Sequence, residues 1–163
     1  MATEDVFNGA LRAFMFGFAY FNTVAQEIGM ERALELLTKM CESMAPLEGQ
    51  VVKQQLGIQG DDAKAALALI RSVDGSLGKA LEVLEESPEK VVWKTFRCPI
   101  YEAAQMLGID AKTICRRGFG RAADVMIKQI NANMSYQCRK FRSSADDFCE
   151  EAVVMGEPYR FPE

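Results

Sequence analysis

The stretch "KVVWKTFRCPIYEAAQMLG", residues 90–108, changes its period part-way along. Val91, Val92, Trp93, Thr95 and Phe96 are β-branched or aromatic and suit an extended strand, whereas the residues after Cys98 return to helical spacing and stop at Gly108. A strand that runs directly into a helix, behind 88 residues that read as helical, predicts a mixed architecture.

Downstream, Asp110 is placed to cap a helix over residues 111–131, with Gly118 and Gly120 predicting a break in its middle. "NMSYQCRKF" (133–141) and "FCEEAVVM" (148–155) read as two strands joined by the polar turn "RSSADD", and residues 156–163 form an irregular tail. Upstream, "VFNGALRAFMFGFAYFNTVAQEIG" (6–29) is a proline-free helix with aromatic residues around most of its circumference. "MERALELLTKMCESM" continues as a second helix, and Pro46 predicts a kink or break before "LEGQVVKQQLG". Asp61 and Asp62 cap "AKAALALIRSV", and "LGKALEVLEE" (77–86) reads as a further helix stopped by Ser87–Pro88. Four or five helices are thus expected in the first 88 residues.

The predicted class is α+β: a helical N-terminal half followed by a small antiparallel sheet with two helical segments. Its 163 residues suit a single domain, 1–163, with a helical part (1–88) and a cysteine-bearing α+β part (89–163). No internal repeat is present, which excludes solenoids and propellers.

Composition narrows the function classes. A formal charge of −4 argues against a dedicated nucleic-acid binder. Residues 1–92 hold 8 basic and 14 acidic side chains, and residues 93–163 hold 11 and 9, so the two parts face different surroundings. The first helix is free of charge only between Arg12 and Glu27, and Asn22, Thr23 and Gln26 interrupt that run; it is too short and too polar to span a bilayer. The acidic start MATEDVFN is no secretory leader, and a cytoplasmic location is expected. The five cysteines are then expected as thiols or thiolates. The chain has no histidine, which removes Ser-His-Asp and Cys-His nucleophiles and any imidazole ligand.

Chemistry therefore falls to sulfur and carboxylate. Cys98 directly precedes Pro99 at a helix start beside Arg97, a setting expected to lower a thiol pKa. Cys115 shares a helical stripe with Phe119, Ala122 and Met126, and Cys138 alternates with Met134 and Tyr136. Cys149 opens the returning strand, in a register that the sequence does not fix. Four thiols from a strand end, a helix and a hairpin can meet at one point and hold zinc or an iron–sulfur cluster; equally, they can serve as small core residues. Arg116, Arg117 and Arg121 surround two glycines and are candidates to receive a phosphate or carboxylate. Phe14, Phe18 and Phe21 are candidates to line an apolar pocket, with a core or dimer face as the alternative.

The run from Cys98-Pro99 through Gly108 and Cys115 to the closing Ala-Asp-Asp-Phe-Cys at 145–149 resembles the cysteine-bearing end of two related families. One is the 4-vinyl-reductase-type small-molecule-binding domain. The other is the L-2-amino-thiazoline-4-carboxylic acid hydrolase-like family. The first resemblance implies a zinc held by cysteines and a glutamate beside a pocket for aromatic ligands: Cys115 and Cys149 match two cysteine ligands, Cys138 the glutamate and Phe141 the third cysteine. Cys98 is the substitute, which implies a zinc site of Cys98, Cys115, Cys138 and Cys149. Ala145 stands where such families have a glycine, and Gly118 stands where the hydrolase-like pattern has an acidic residue.

Two functions follow. One is a cytosolic protein that binds a small apolar or carboxylate ligand, with zinc as a clasp, no nucleic-acid or membrane partner, and a possible second copy as homodimer. The other is a hydrolase acting on a C–N bond of a small heterocycle, with Cys98 as nucleophile or a metal-bound water attacking the ring, and Glu102, Asp124 or Tyr101 moving the proton.

Overall fold

The computed structural model describes residues 2–163, with side chains from Glu4 onward. Helix α1 (Ala2–Ile28) and helix α2 (Met30–Leu56) are 27 residues each, about 40 Å long at the usual rise per residue. Gly29, at φ +87°, turns the chain between them. Pro46 lies inside α2, which continues past it, so of the kink or break expected there the break does not occur. The imino nitrogen gives up one helical hydrogen bond, but Ala45 and Gly49 on either side are buried, and Gly49 lies close against Met126 and Gln129. Packing outweighs the lost bond.

Helix α3 (Ala63–Ser76) begins at Asp62, whose side chain accepts from the Ala65 N–H, as expected of a cap. The next segment differs from the sequence reading: residues 80–86 form strand β1 (Ala80–Glu86), not a helix. Leu81 and Val83 alternate toward the main core while Glu82, Glu85 and Glu86 remain outside. Ser87–Pro88 is the turn of a hairpin, with the Ser87 N–H bonded to the Lys90 carbonyl at 2.8 Å. Among the described residues, the first 88 thus hold three helices and a strand. Strand β2 (Lys90–Arg97) pairs with β1, so the division at residue 88 falls within a hairpin.

Helix α4 (Pro99–Met106) follows with Pro99 in its first turn, and α5 (Ala111–Ile114) is capped by Asp110. The expected break at Gly118 is a π-helical turn, Cys115–Phe119, before α6 (Gly120–Ile127). Strands β3 (Met134–Lys140) and β4 (Cys149–Met155) complete an antiparallel sheet of order β1-β2-β4-β3. The architecture is α+β, a helical N-terminal part followed by the sheet, as expected.

Two apolar cores meet at Phe141 and Ala122. One lies between the sheet, α3 and α6 and centres on Trp93, Leu67, Leu69 and Ile127. The other joins α1, α2 and α4 through Phe18, Phe21, Leu34 and Tyr101. Among the described residues no helix is long and apolar enough to cross a membrane.

Candidate active site

Register places the chemistry on the inner face of the sheet. Thr95 pairs with Cys149, and Trp93, Glu151 and Cys138 form one row across β2, β4 and β3. Directly paired residues point to the same side of an antiparallel sheet, so a carboxylate and two thiols face inward together. Cys98 enters from the start of α4 and Cys115 from the π turn. All four thiols line one partly open cavity of about 80 Å³.

Glu151 is anchored by three donors: the Trp93 indole N–H at 3.2 Å, the Thr95 hydroxyl and the Tyr136 hydroxyl. Lys79 and Asp74 line the same cavity and form an ion pair at 2.7 Å. Burial opposes the Lys79 ammonium, but Asp74, with help from Cys98 and Glu151 when these are ionised, holds its pKa above the usual lysine value. Lys79 is therefore a fixed cation.

The thiols are neutral. Burial raises the pKa of Cys98 even though Lys79 and the Tyr101 and Ile100 backbone N–H groups pull it down, which reverses the lowering expected from the helix start and Arg97. Arg97 turns away to pair with Glu4 at 2.6 Å. Burial pushes Cys115 well above the thiol range, with Cys98 and Cys149 adding to it. Cys149 goes up to about 12, again mainly by burial and then by Glu151. Cys138 is raised for the same two reasons.

The expected four-thiolate zinc is not supported by this geometry. Among the described residues no three cysteine, aspartate or glutamate side chains come together as a group able to hold a metal ion. Zinc needs sulfurs converging at about 2.3 Å, and these line the cavity from separate elements without forming such a group. All five cysteines are free.

The remaining sequence candidates, Tyr101 apart, lie elsewhere. Glu102 faces Arg97 at 3.8 Å in an outer groove. Asp124 is buried but bonded to Lys128 and to the Tyr136 N–H, a structural role. Tyr101 does line the cavity. Arg117 pairs with Glu31, and Arg121 pairs with Glu42 and lies over Tyr159; neither these nor Arg116 reach the cavity wall. Phe14, Phe18 and Phe21 line a separate, open apolar groove of about 540 Å³ between α1 and α2. Phe119 touches both spaces, edge-on to Phe14 with ring centroids 5.5 Å apart.

The sequence reading missed Glu151, Lys79 and Asp74. Glu151 carried a signal, since it alternates with Cys149 and Val153 on the inward side of a strand. Lys79 carried none, because its segment read as helix.

The family model of the L-2-amino-thiazoline-4-carboxylic acid hydrolases matches residues 9–151, most of the chain. The chain belongs to this family. No curated protein matches it. The match spans both parts of the chain and takes in every cysteine and carboxylate of the cavity, so in this member of the thiazoline-carboxylate hydrolase family the cavity is the candidate active site. Of the two families that the cysteine pattern resembled, the hydrolase family is the one matched.

Proposed function

We propose that the protein hydrolyses a ring C–N bond in a small nitrogen heterocycle that carries a carboxylate, of the kind its family is named for. The observation that carries this reading is the shared cavity of Cys98, Glu151 and Lys79: a nucleophile, a proton acceptor and a fixed cation. A neutral Cys98 requires a base, and Glu151 supplies it without histidine.

In the step we propose, Cys98 Sγ bonds to the carbon of the ring C=N while Glu151 takes the thiol proton. The displaced electron pair goes to the ring nitrogen, which takes that proton back from Glu151. Glu151 then carries a proton from the amino group on the same carbon to the ring nitrogen as the C–N bond breaks. The carbon remains on sulfur as a thioimidate. Water adds across its C=N bond, Glu151 moving one proton from the water oxygen to the nitrogen, and the Cys98 thiol leaves with the other as the carbonyl forms. Lys79 keeps its charge throughout.

The test follows loss of L-2-amino-thiazoline-4-carboxylic acid and appearance of the ring-opened amine by chromatography. Cys98→Ala is expected to abolish turnover, and Glu151→Gln to lower kcat by about 10²- to 10⁴-fold. A Cys98→Ala protein that turns over like the parent overturns the reading.

A further inference from the structure

Lys79 has ammonium donors to spare where charge is costly to bury. It follows the turn at Gly78, where a Cβ would meet the Phe7 backbone at 2.7–2.8 Å, and its own N–H bonds the Asp74 carbonyl at 2.9 Å. Backbone and side chain thus fasten it to the end of α3. An ammonium carries three N–H donors. Among the described residues one of them is used, on Asp74 Oδ1 at 2.7 Å. Apolar residues of the same size replace a buried ion pair at little cost, so stability alone gives no reason to keep a cation with two open donors here.

The open donors belong to the cavity. Lys79 and Asp74 line it together with Cys98, Cys115 and Glu151. Burial raises the Cys98 and Cys115 thiols, and the Lys79 charge opposes it at both, so the ammonium stands near both sulfurs. Arg116, Arg117 and Arg121 do not line this space. Position matters for the chemistry. In a 2-amino-thiazoline-4-carboxylate the carboxylate sits on the ring carbon bonded to the nitrogen whose C–N bond is cut, so a cation that holds it must stand close to the nucleophile. The cavity of about 80 Å³ has room for about six waters, comparable to a five-membered ring with two small substituents.

We propose that Lys79 is the carboxylate anchor of this cavity: its two open N–H groups bind the acid while Asp74 keeps the third, and the ring is left facing Cys98 and Glu151. An ammonium suits this task as a point charge that turns its donors to the oxygens offered. Asp74 then sets the strength of the grip, since it competes with the substrate for the same cation. The inference rests on the cavity being the substrate site and names the residue through which that site selects an acid.

The experiment measures the melting temperature of the full chain, as Cys98→Ala so that the ligand is not consumed. The probes are L-2-amino-thiazoline-4-carboxylic acid and its neutral primary amide, at the same concentration and matched ionic strength. At ten times its Kd the acid is expected to raise Tm by about 3 °C or more, and the amide to leave it unchanged. Lys79→Met combined with Asp74→Asn removes the cation without stranding a charge and is expected to abolish the difference. Asp74→Asn alone removes the competitor and is expected to tighten acid binding by roughly tenfold, a gain that a merely structural ion pair does not give. Arg121→Gln keeps the difference whole. If the Lys79 and Asp74 variants do not fold, the acid-against-amide comparison and Arg121→Gln decide alone. Equal shifts from acid and amide, no shift from either, a preference for the acid that survives in the double variant, weaker acid binding in Asp74→Asn, or loss of the shift in Arg121→Gln overturn the proposal. Binding of the acid through Lys79 in a protein that opens no ring removes the hydrolytic reading and leaves the anchor standing; ring opening that Cys98→Ala abolishes, with acid and amide bound alike, does the reverse.

Discussion

Lys79 and Asp74 are two opposite charges hidden in a wall of thiols and aromatic rings. Removing one partner strands the other, because neither can recover its hydration. Lys79→Met is expected to cost about 3–5 kcal/mol in urea unfolding, and pairing it with Asp74→Asn is expected to recover much of that loss. A single variant within about 1 kcal/mol of the parent would show that water reaches the pair. At this scale the sequence displayed the cysteines but not their state. Cys98 has the helix start that its neighbours announced, and even the backbone donors, but its pKa rises because burial outweighs them, and burial is set by distant segments. The surroundings of Arg117 and Arg121 were hidden for a similar reason: their partners Glu31 and Glu42 lie on α2, more than 70 residues away in the chain.

At the scale of elements, glycines separate local from tertiary constraint. Gly29 and Gly78 both have positive φ, but a Cβ at Gly29 meets nothing, whereas at Gly78 it would come within 2.7–2.8 Å of the Phe7 backbone. Gly29→Ala is expected to cost only the conformational penalty, about 1–2 kcal/mol. Gly78→Ala adds a clash with main chain of α1 and is expected to cost at least about 3 kcal/mol, read as a lower urea midpoint with a normal m-value. Helices α1, α3 and α4 were legible because caps and apolar spacing agree in them. Strand β1 was not: "ALEVLEE" has alternating apolar residues but also strong helix formers, and only its pairing with β2 and burial of Leu81 and Val83 decide the matter. At Pro46 the break did not occur, since α2 continues through it with Ala45 and Gly49 packed on either side.

For the whole molecule, the buried thiols couple stability to alkaline pH. Burial, then Glu42, lifts Cys41 to about 11, and Cys149 reaches about 12. Below the unfolded thiol pKa of about 8.5 both states hold their protons and this contribution is fully present. Between that value and about 11 the unfolded chain releases protons that the folded chain retains, so stability falls as pH rises. Each such thiol removes up to about 1.4 kcal/mol per pH unit in that window. The urea midpoint is expected to be insensitive to these groups up to pH 8 and to fall steeply by pH 10, less so in Cys41→Ala relative to its own value at pH 8. A flat profile to pH 10 contradicts their burial. Chain order revealed the global class, because helices precede strands, but not the position of the cavity, which needs the register of three strands and the seating of two further segments.

The last residues give the fold one more property. Arg160 bridges to Gln137 beside β3, the Tyr159 hydroxyl bonds the Arg116 carbonyl, and Phe161 forms part of the cavity wall. One wall of the chamber is thus a strap laid down by residues 159–161, and emptying it with Phe161→Ala would widen the space and speed alkylation of the sulfurs that line it.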